Sequence, residues 1–158
     1  MEHETLAEIL AIGETTNVEF KRCGQQPERD TFETVCSFAN TFGGSIFLGV
    51  EDDGTVVGVN AGNLLPVKRN VINVVNNPRL FDSPVALEFE ELDYYGKPVL
   101  RLWVPPSPNM HRFKGEIYER SRTPTSSCAA RPGWPRSAYA SRASTRSRGS
   151  TSTSPRAT

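Results

Sequence analysis

Apolar residues recur along the first 120 positions in patterns that predict a run of short elements. Leu6, Ile9 and Leu10 fall at helical spacing and Gly13 follows as a stop, which predicts a helix over Thr5–Ile12. Val18-Glu19-Phe20-Lys21 alternates as a half-buried strand does, and Cys23–Pro27 reads as a loop. Asp30, with Glu33 three residues later, has the form of a capping box; the helix it would start carries an apolar stripe of Phe32, Val35, Cys36 and Ala39 and ends at Gly43-Gly44. Ser45–Val50 is an apolar run bounded by glycine and by Asp52-Asp53-Gly54, the pattern of a buried central strand and a tight turn, with Val56–Val59 expected to return as its hairpin partner. Leu64–Asn76 predicts a third helix, stopped at Asn77-Pro78. Val85–Glu90 alternates, Tyr94–Lys97 turns the chain, and Pro98–Val104 comes back with Trp103 expected in the core. Pro105, Pro106 and Pro108 mark a loop, and Gly115–Arg120 opens a last strand. The order helix, strand, helix, hairpin, helix, hairpin, strand is that of an α+β domain, a mixed, largely antiparallel sheet with packed helices.

Charge divides the 158-residue chain in two. Positions 1–120 hold all 18 acidic residues against 11 basic ones, a net of −7, whereas positions 121–158 hold seven Arg and no acid, a net of +7. The second segment contains no Val, Ile, Leu, Phe or Met. It lacks the apolar surface that offsets ordering entropy, so a disordered tail is expected there. Two origins stay open for it: a natural basic tail that holds phosphate, or translation of GC-rich DNA in a shifted frame, which the composition favours. The folded domain is therefore expected to span 1–120 and the low-complexity tail 121–158.

Several function classes are excluded or disfavoured. No apolar run approaches the ~18–20 residues that cross a bilayer. Met1–Leu10 carries Glu2, Glu4 and Glu8 and lacks the basic-then-apolar form of a leader peptide. Three Cys without CxxC spacing and two distant His disfavour a disulfide scaffold and a zinc site, and the cytoplasm is the expected compartment. There is no GxxxxGK[ST] segment, so a P-loop ATPase is not expected. Cys36, on an apolar helix face, reads as core rather than nucleophile.

Lys21, Arg22, His111, Arg112, Lys114 and Arg120 are the candidate phosphate contacts, with Phe113 and Tyr118 interleaved as candidate stacking rings. A solvated rim of charges is the competing reading, and the net negative domain opposes general attraction to nucleic acid. The Gly43-Gly44 corner fits either close packing or the close approach of a ligand.

Three stretches taken together carry a family resemblance. Glu14-Thr-Thr-Asn-Val-Glu19-Phe20-Lys21, then Phe38-Ala-Asn-Thr-Phe-Gly-Gly44 running into Ile46–Val50, then Asp52-Asp53-Gly54 with Val57-Gly58-Val59, resemble the Schlafen AlbA-type domain over about residues 10–120, with Tyr118 and Arg120 similar to its late tyrosine-and-arginine strand. The resemblance is to bacterial members labelled as DNA-binding transcriptional regulators or RecG-helicase-related proteins. It implies a DNA or RNA partner, a cytoplasmic protein and a homodimer-forming sheet. The family's older divergent AAA-like label finds no supporting residue here. In Schlafen nucleases the matching positions, Glu14, Glu19 and Asp52, form a catalytic carboxylate triad holding Mg²⁺ or Mn²⁺, and the resemblance implies that alternative activity on structured RNA. On a straight strand Glu14 and Glu19 would point to opposite faces, so the triad requires a bend across Gly13–Asn17. Ion pairing of these glutamates with Lys21, Arg22 or Arg120 is the structural alternative.

Overall fold

The computed structural model describes residues 3–120 and 129–131. Three helices and a four-stranded sheet follow in the order α1 (His3–Ile12), β1 (Val18–Lys21), α2 (Arg29–Asn40), β2 (Gly44–Leu48), α3 (Leu64–Val75), β3 (Glu88–Tyr94) and β4 (Lys97–Val104). A short β5 (Ile117–Glu119) pairs antiparallel with β6 (Ala129–Arg131). In space the main sheet runs β1-β2-β4-β3, with β1 and β2 parallel and the other neighbours antiparallel. The α+β, mixed and largely antiparallel architecture expected from the sequence is the one observed. Within 121–158 the described residues are those of β6 alone; the expectation of a disordered tail otherwise lies outside the described residues. Backbone pairing of this kind needs no apolar side chains, which is why the tail's composition gave no sign of it.

The sheet buries both faces, by different means. One face carries Ile46, Leu48, Leu100, Leu102 and Val104 against α2 and α3, whose Val35, Phe38, Val67, Val71 and Val75 complete the larger core. The other carries Phe20, Phe47, Val99 and Leu92 beneath Leu6, Ile9 and Leu10 of α1, a smaller core at one end of the sheet. Burying β2 on both faces explains its unbroken apolar run. Cys36 is buried in the larger core, and desolvation pushes its thiol up to about 12, so it stays protonated and inert.

Four local expectations give way to tertiary contacts. Val56–Val59 is not a hairpin strand: only a single bridge, Val50 to Val56, forms, and the backbone N–H groups of Val57 and Gly58 both bind the Gly49 carbonyl instead, at 2.9 and 2.8 Å. The third strand begins at Glu88 rather than Val85. The second helix is preceded by Glu28 with no side-chain cap, because Asp30 reaches across to Lys21 (2.8 Å). Trp103 is half-buried on the α1 side of β4 and belongs to neither core, since α1 does not extend over that end of the sheet.

The Gly43-Gly44 corner is a packing corner. Gly43 has φ +72°, and a Cβ there would lie 2.7 Å from the Val104 carbonyl oxygen; one on Gly44 would lie 2.8 Å from both the Asn17 carbonyl and the Phe38 ring. Protein fills the space that a ligand would need. Just before it, Asn40 holds the return of the chain. Its Nδ2 donates to the carbonyls of His111 and Tyr118, each at 2.9 Å, and its Oδ1 accepts the His111 N–H at 2.7 Å. One side chain thereby satisfies three backbone groups from two segments more than 70 residues away. Asn40→Ala is expected to destabilise the domain by about 1–3 kcal/mol for each of these groups left without a partner; a urea denaturation midpoint equal to that of the unaltered protein would refute the assignment.

Candidate functional site

The acidic and basic residues singled out by the sequence fall into three places. The first lies at the outer edge of β1. Gly13, at φ +86°, leads out of α1, and Thr15 folds back to pair with Val18, so the bend required between Glu14 and Glu19 exists. Glu14 Oε1 accepts the outward Phe20 N–H at 3.0 Å, covering a group that a bare edge strand would leave unpaired. Burial raises the Glu14 pKa; the Phe20 N–H partly offsets this, and the nearby charges of Glu19 and Asp52 raise it further. Glu14 therefore lies near the charges of both Glu19 and Asp52.

Glu19 points to the opposite face and is only 8% exposed. Its Oε1 lies 3.1 Å from Lys21 Nζ and its Oε2 is held by Arg120. Lys21 also meets Asp30 at 2.8 Å. Burial pulls the Lys21 pKa down, but the Asp30 hydrogen bond and the Glu19 and Asp30 charges outweigh it, so the ammonium titrates above its ordinary range. Arg120, also 8% exposed, donates to the carbonyls of Thr15 (2.9 Å) and Thr16 (3.1 Å), and its guanidinium lies 4.7 Å from the centre of the Phe38 ring. Both oxygens of Glu19 are thus occupied by cations of the chain itself. Among the described residues no group of three His, Cys, Asp or Glu side chains is arranged to hold a metal ion. The donor set does not fit Mg²⁺ or Mn²⁺ in this arrangement, which would require displacement of Lys21 or Arg120.

The second place is the end of β1 and β2. There exposed Arg22 pairs with Glu51 at 3.4 Å, and Asp52 and Asp53 line the same shallow hollow. The third is the loop before β5. His111 is buried, with its ring between the Ser83 and Ser107 hydroxyls at 2.8 Å each. Phe113 and Tyr118 are buried as well, which corrects their reading as stacking rings: Phe113 packs against Phe81 with centroids 5.0 Å apart. Arg112 is half-buried, Lys114 is exposed, and they flank Phe113 as it plugs the core.

Residues 14–129 match the family model described as Schlafen, AlbA_2. The chain belongs to that family. No curated protein matches it. Among solved structures, the DIP2311 protein of Corynebacterium diphtheriae shares the fold at TM-score 0.55 and 20% identity, over 82% of this chain and 26% of that one. The N-terminal domain of a protein related to the ATP-dependent DNA helicase RecG, from Nitrosomonas europaea, aligns at TM-score 0.54 and 23% identity, over 85% of this chain and 92% of that domain. The Schlafen AlbA_2 chain here thus spans about a quarter of the first protein and nearly all of the second domain. The family match runs past Arg120 to Ala129, the first residue of β6.

Sequence reasoning missed two features of this Schlafen AlbA_2 domain. Asn40 acts as a three-bond clamp, a role visible only once the residues far along the chain that it holds are in place. Arg101 and Trp103 lie on the α1 side of the sheet beyond the core that α1 forms, whereas the sequence pattern predicts Trp103 in the core; nothing local showed how far the covering helix reaches.

Glu14 yields a pH test with a definite sign. Its folded pKa lies above the unfolded value, so its ionisation reduces stability at neutral pH, and that reduction vanishes as pH falls below about 4.5. Glu14→Gln keeps an oxygen for the Phe20 N–H and removes the charge. The variant is expected to melt at a higher temperature than the unaltered protein at pH 7 and at the same temperature near pH 4; a lower Tm at pH 7 would contradict this.

Proposed function

We propose that this domain is a nucleic-acid-binding module, of the kind found in bacterial DNA-binding transcriptional regulators and helicase-related proteins. The observation that carries the reading is the loop before β5. Phe113 anchors it in the core, and Arg112 and Lys114 stand on either side with no ion-pair partner among the described residues. Cations of this kind position a protein on nucleic acid by contacting phosphates, without reading its bases. The fold shared with the N-terminal domain of the RecG-related protein supports the same reading. Arg22 is the third phosphate contact we assign, since it is exposed and only loosely tied to Glu51. Lys21 and Arg120 are engaged by carboxylates and backbone, and their part is to hold the fold beneath. The net −7 of positions 1–120 makes binding depend on this local grouping and makes it sensitive to salt.

A metal-dependent nuclease acting on structured RNA is the second reading. It rests on the nearness of Glu14 to the charges of Glu19 and Asp52. The occupied oxygens of Glu19 weigh against it.

Fluorescence anisotropy of the full chain with labelled DNA and RNA oligonucleotides, across a salt series, tests the first reading. Binding is expected at low salt, weakening linearly in log–log form, with the slope falling by roughly 0.7–0.9 for each phosphate contact removed. Arg112→Ala and Lys114→Ala together should lower it by about 1.4–1.8. No binding at low salt would overturn the proposal. Cleavage of a folded RNA with Mn²⁺, lost in Asp52→Ala, would shift the assignment to the nuclease.

A further inference from the structure

The end of the sheet beyond the residues that α1 packs on carries a constellation that neither the phosphate contacts nor the carboxylates of β1 include. α1 covers Phe20, Phe47, Val99 and Leu92, and stops short of the next rung. There Ser45, Trp103 and Glu88 lie side by side across β2, β4 and β3, with Glu90 opposite Arg101 one rung along. Directly paired residues place their side chains on the same face, about 4.5–5.5 Å apart at Cβ. Arg101 is held in place: its Nε donates to Ser45 Oγ at 3.0 Å, its Nη1 meets Glu90 at 2.7 Å, and its guanidinium lies 5.9 Å from the centre of the Trp103 ring. Glu88, Phe89, Glu90, Arg101 and Trp103 line a shallow hollow of about 480 Å³. The Glu88 carboxylate has no partner among the described residues.

A half-buried indole beside a fixed guanidinium, on a flat sheet surface, is a platform for a planar ring. Arg101 is already paired with Glu90, so Glu88 is the charged group of the hollow that a ligand would meet. The ligand that fits is the face of a base whose edge carries hydrogen-bond donors. An ionised carboxylate only accepts. Uracil offers its single N–H between two carbonyl oxygens, while adenine and cytosine each offer one amino group beside an acceptor nitrogen. Guanine alone presents two adjacent donors, N1–H and the 2-amino group, which a carboxylate can accept together.

We propose that this face is a guanine-binding site for an unpaired nucleotide, with Trp103 and Arg101 as the stacking surface and Glu88 as the acceptor of the base edge. The proposal deepens the nucleic-acid reading and rests on it, since it supplies base recognition to a domain whose loop cations recognise only backbone.

The chain has two Trp residues, Trp103 and Trp134, so Trp134→Phe leaves Trp103 as the only indole. Full-length protein with that substitution is titrated with guanosine, adenosine, cytidine and uridine, and Trp103 fluorescence is read. Guanosine is expected to quench saturably and to bind at least ~10-fold more tightly than uridine, and Glu88→Gln to weaken guanosine by about 10-fold, in line with the loss of a bidentate base contact. Glu88 is exposed, so the substitution leaves the core intact. Equal quenching by all four nucleosides, no quenching, or no effect of Glu88→Gln would overturn the site. Anisotropy with an eight-uridine RNA and its single-guanine counterpart separates the two claims. If both bind equally and Trp103 is silent, the guanine site fails while backbone binding stands. If guanosine quenches but neither RNA binds, the site stands and the wider reading fails.

Discussion

The buried contact between Arg120 and Glu19 constrains the rest of the domain. It joins residues 101 positions apart, at the end of the described folded unit and in its first strand. A buried carboxylate needs a partner, and so does a buried guanidinium; each here is the other's principal solution. Nη1 of Arg120 closes the bend at Thr15 and Thr16, and its guanidinium lies over the Phe38 ring of α2. One side chain therefore sets the position of the β1 edge, the helix above it and the exit of the chain. The same contact decides what Glu19 can do, because a carboxylate held on one oxygen by Arg120 and on the other by Lys21 has no oxygen free.

Asn40 performs a parallel task with neutral groups. It draws the 111–118 segment onto α2, which brings Phe113 and Tyr118 into the larger core and leaves Arg112 and Lys114 at the rim. The two clamps act on adjoining stretches of chain, so the last strand of the domain is held by polar contacts as well as by apolar burial. Polar groups buried in this way specify one arrangement, since any slip strands a donor or a charge.

The two faces of the sheet divide the labour. The face under α2 and α3 is filled along its length and supplies stability. The other forms a core with a single helix at one end, and beyond that core it carries tryptophan, arginine and glutamate in place of the valine and leucine behind them. Surface cations, by contrast, are spread over separate loops, and the domain's net charge is negative. A domain of this charge gains little from long-range attraction to a polyanion.

Much of the fold was legible locally. Periodicity located the three helices and three of the four strands of the main sheet to within a few residues, and it marked the Tyr94–Lys97 turn and the buried state of Cys36, because helix and strand spacing follow from backbone geometry alone. The Gly, Thr and Asn content of Gly13–Asn17 permitted the bend found there. Composition alone determined that positions 1–120 hold the acids and the core-forming residues. Tertiary structure decided the rest. It sent Asp30 to Lys21 instead of to its own helix, tied Val57 and Gly58 to Gly49 instead of into a ladder, buried Phe113 and Tyr118, and left Trp103 at the edge of cover. Each of these depends on which distant group arrives beside a residue, and hydrogen-bond and charge partners of that sort carry no signature in the spacing of the chain.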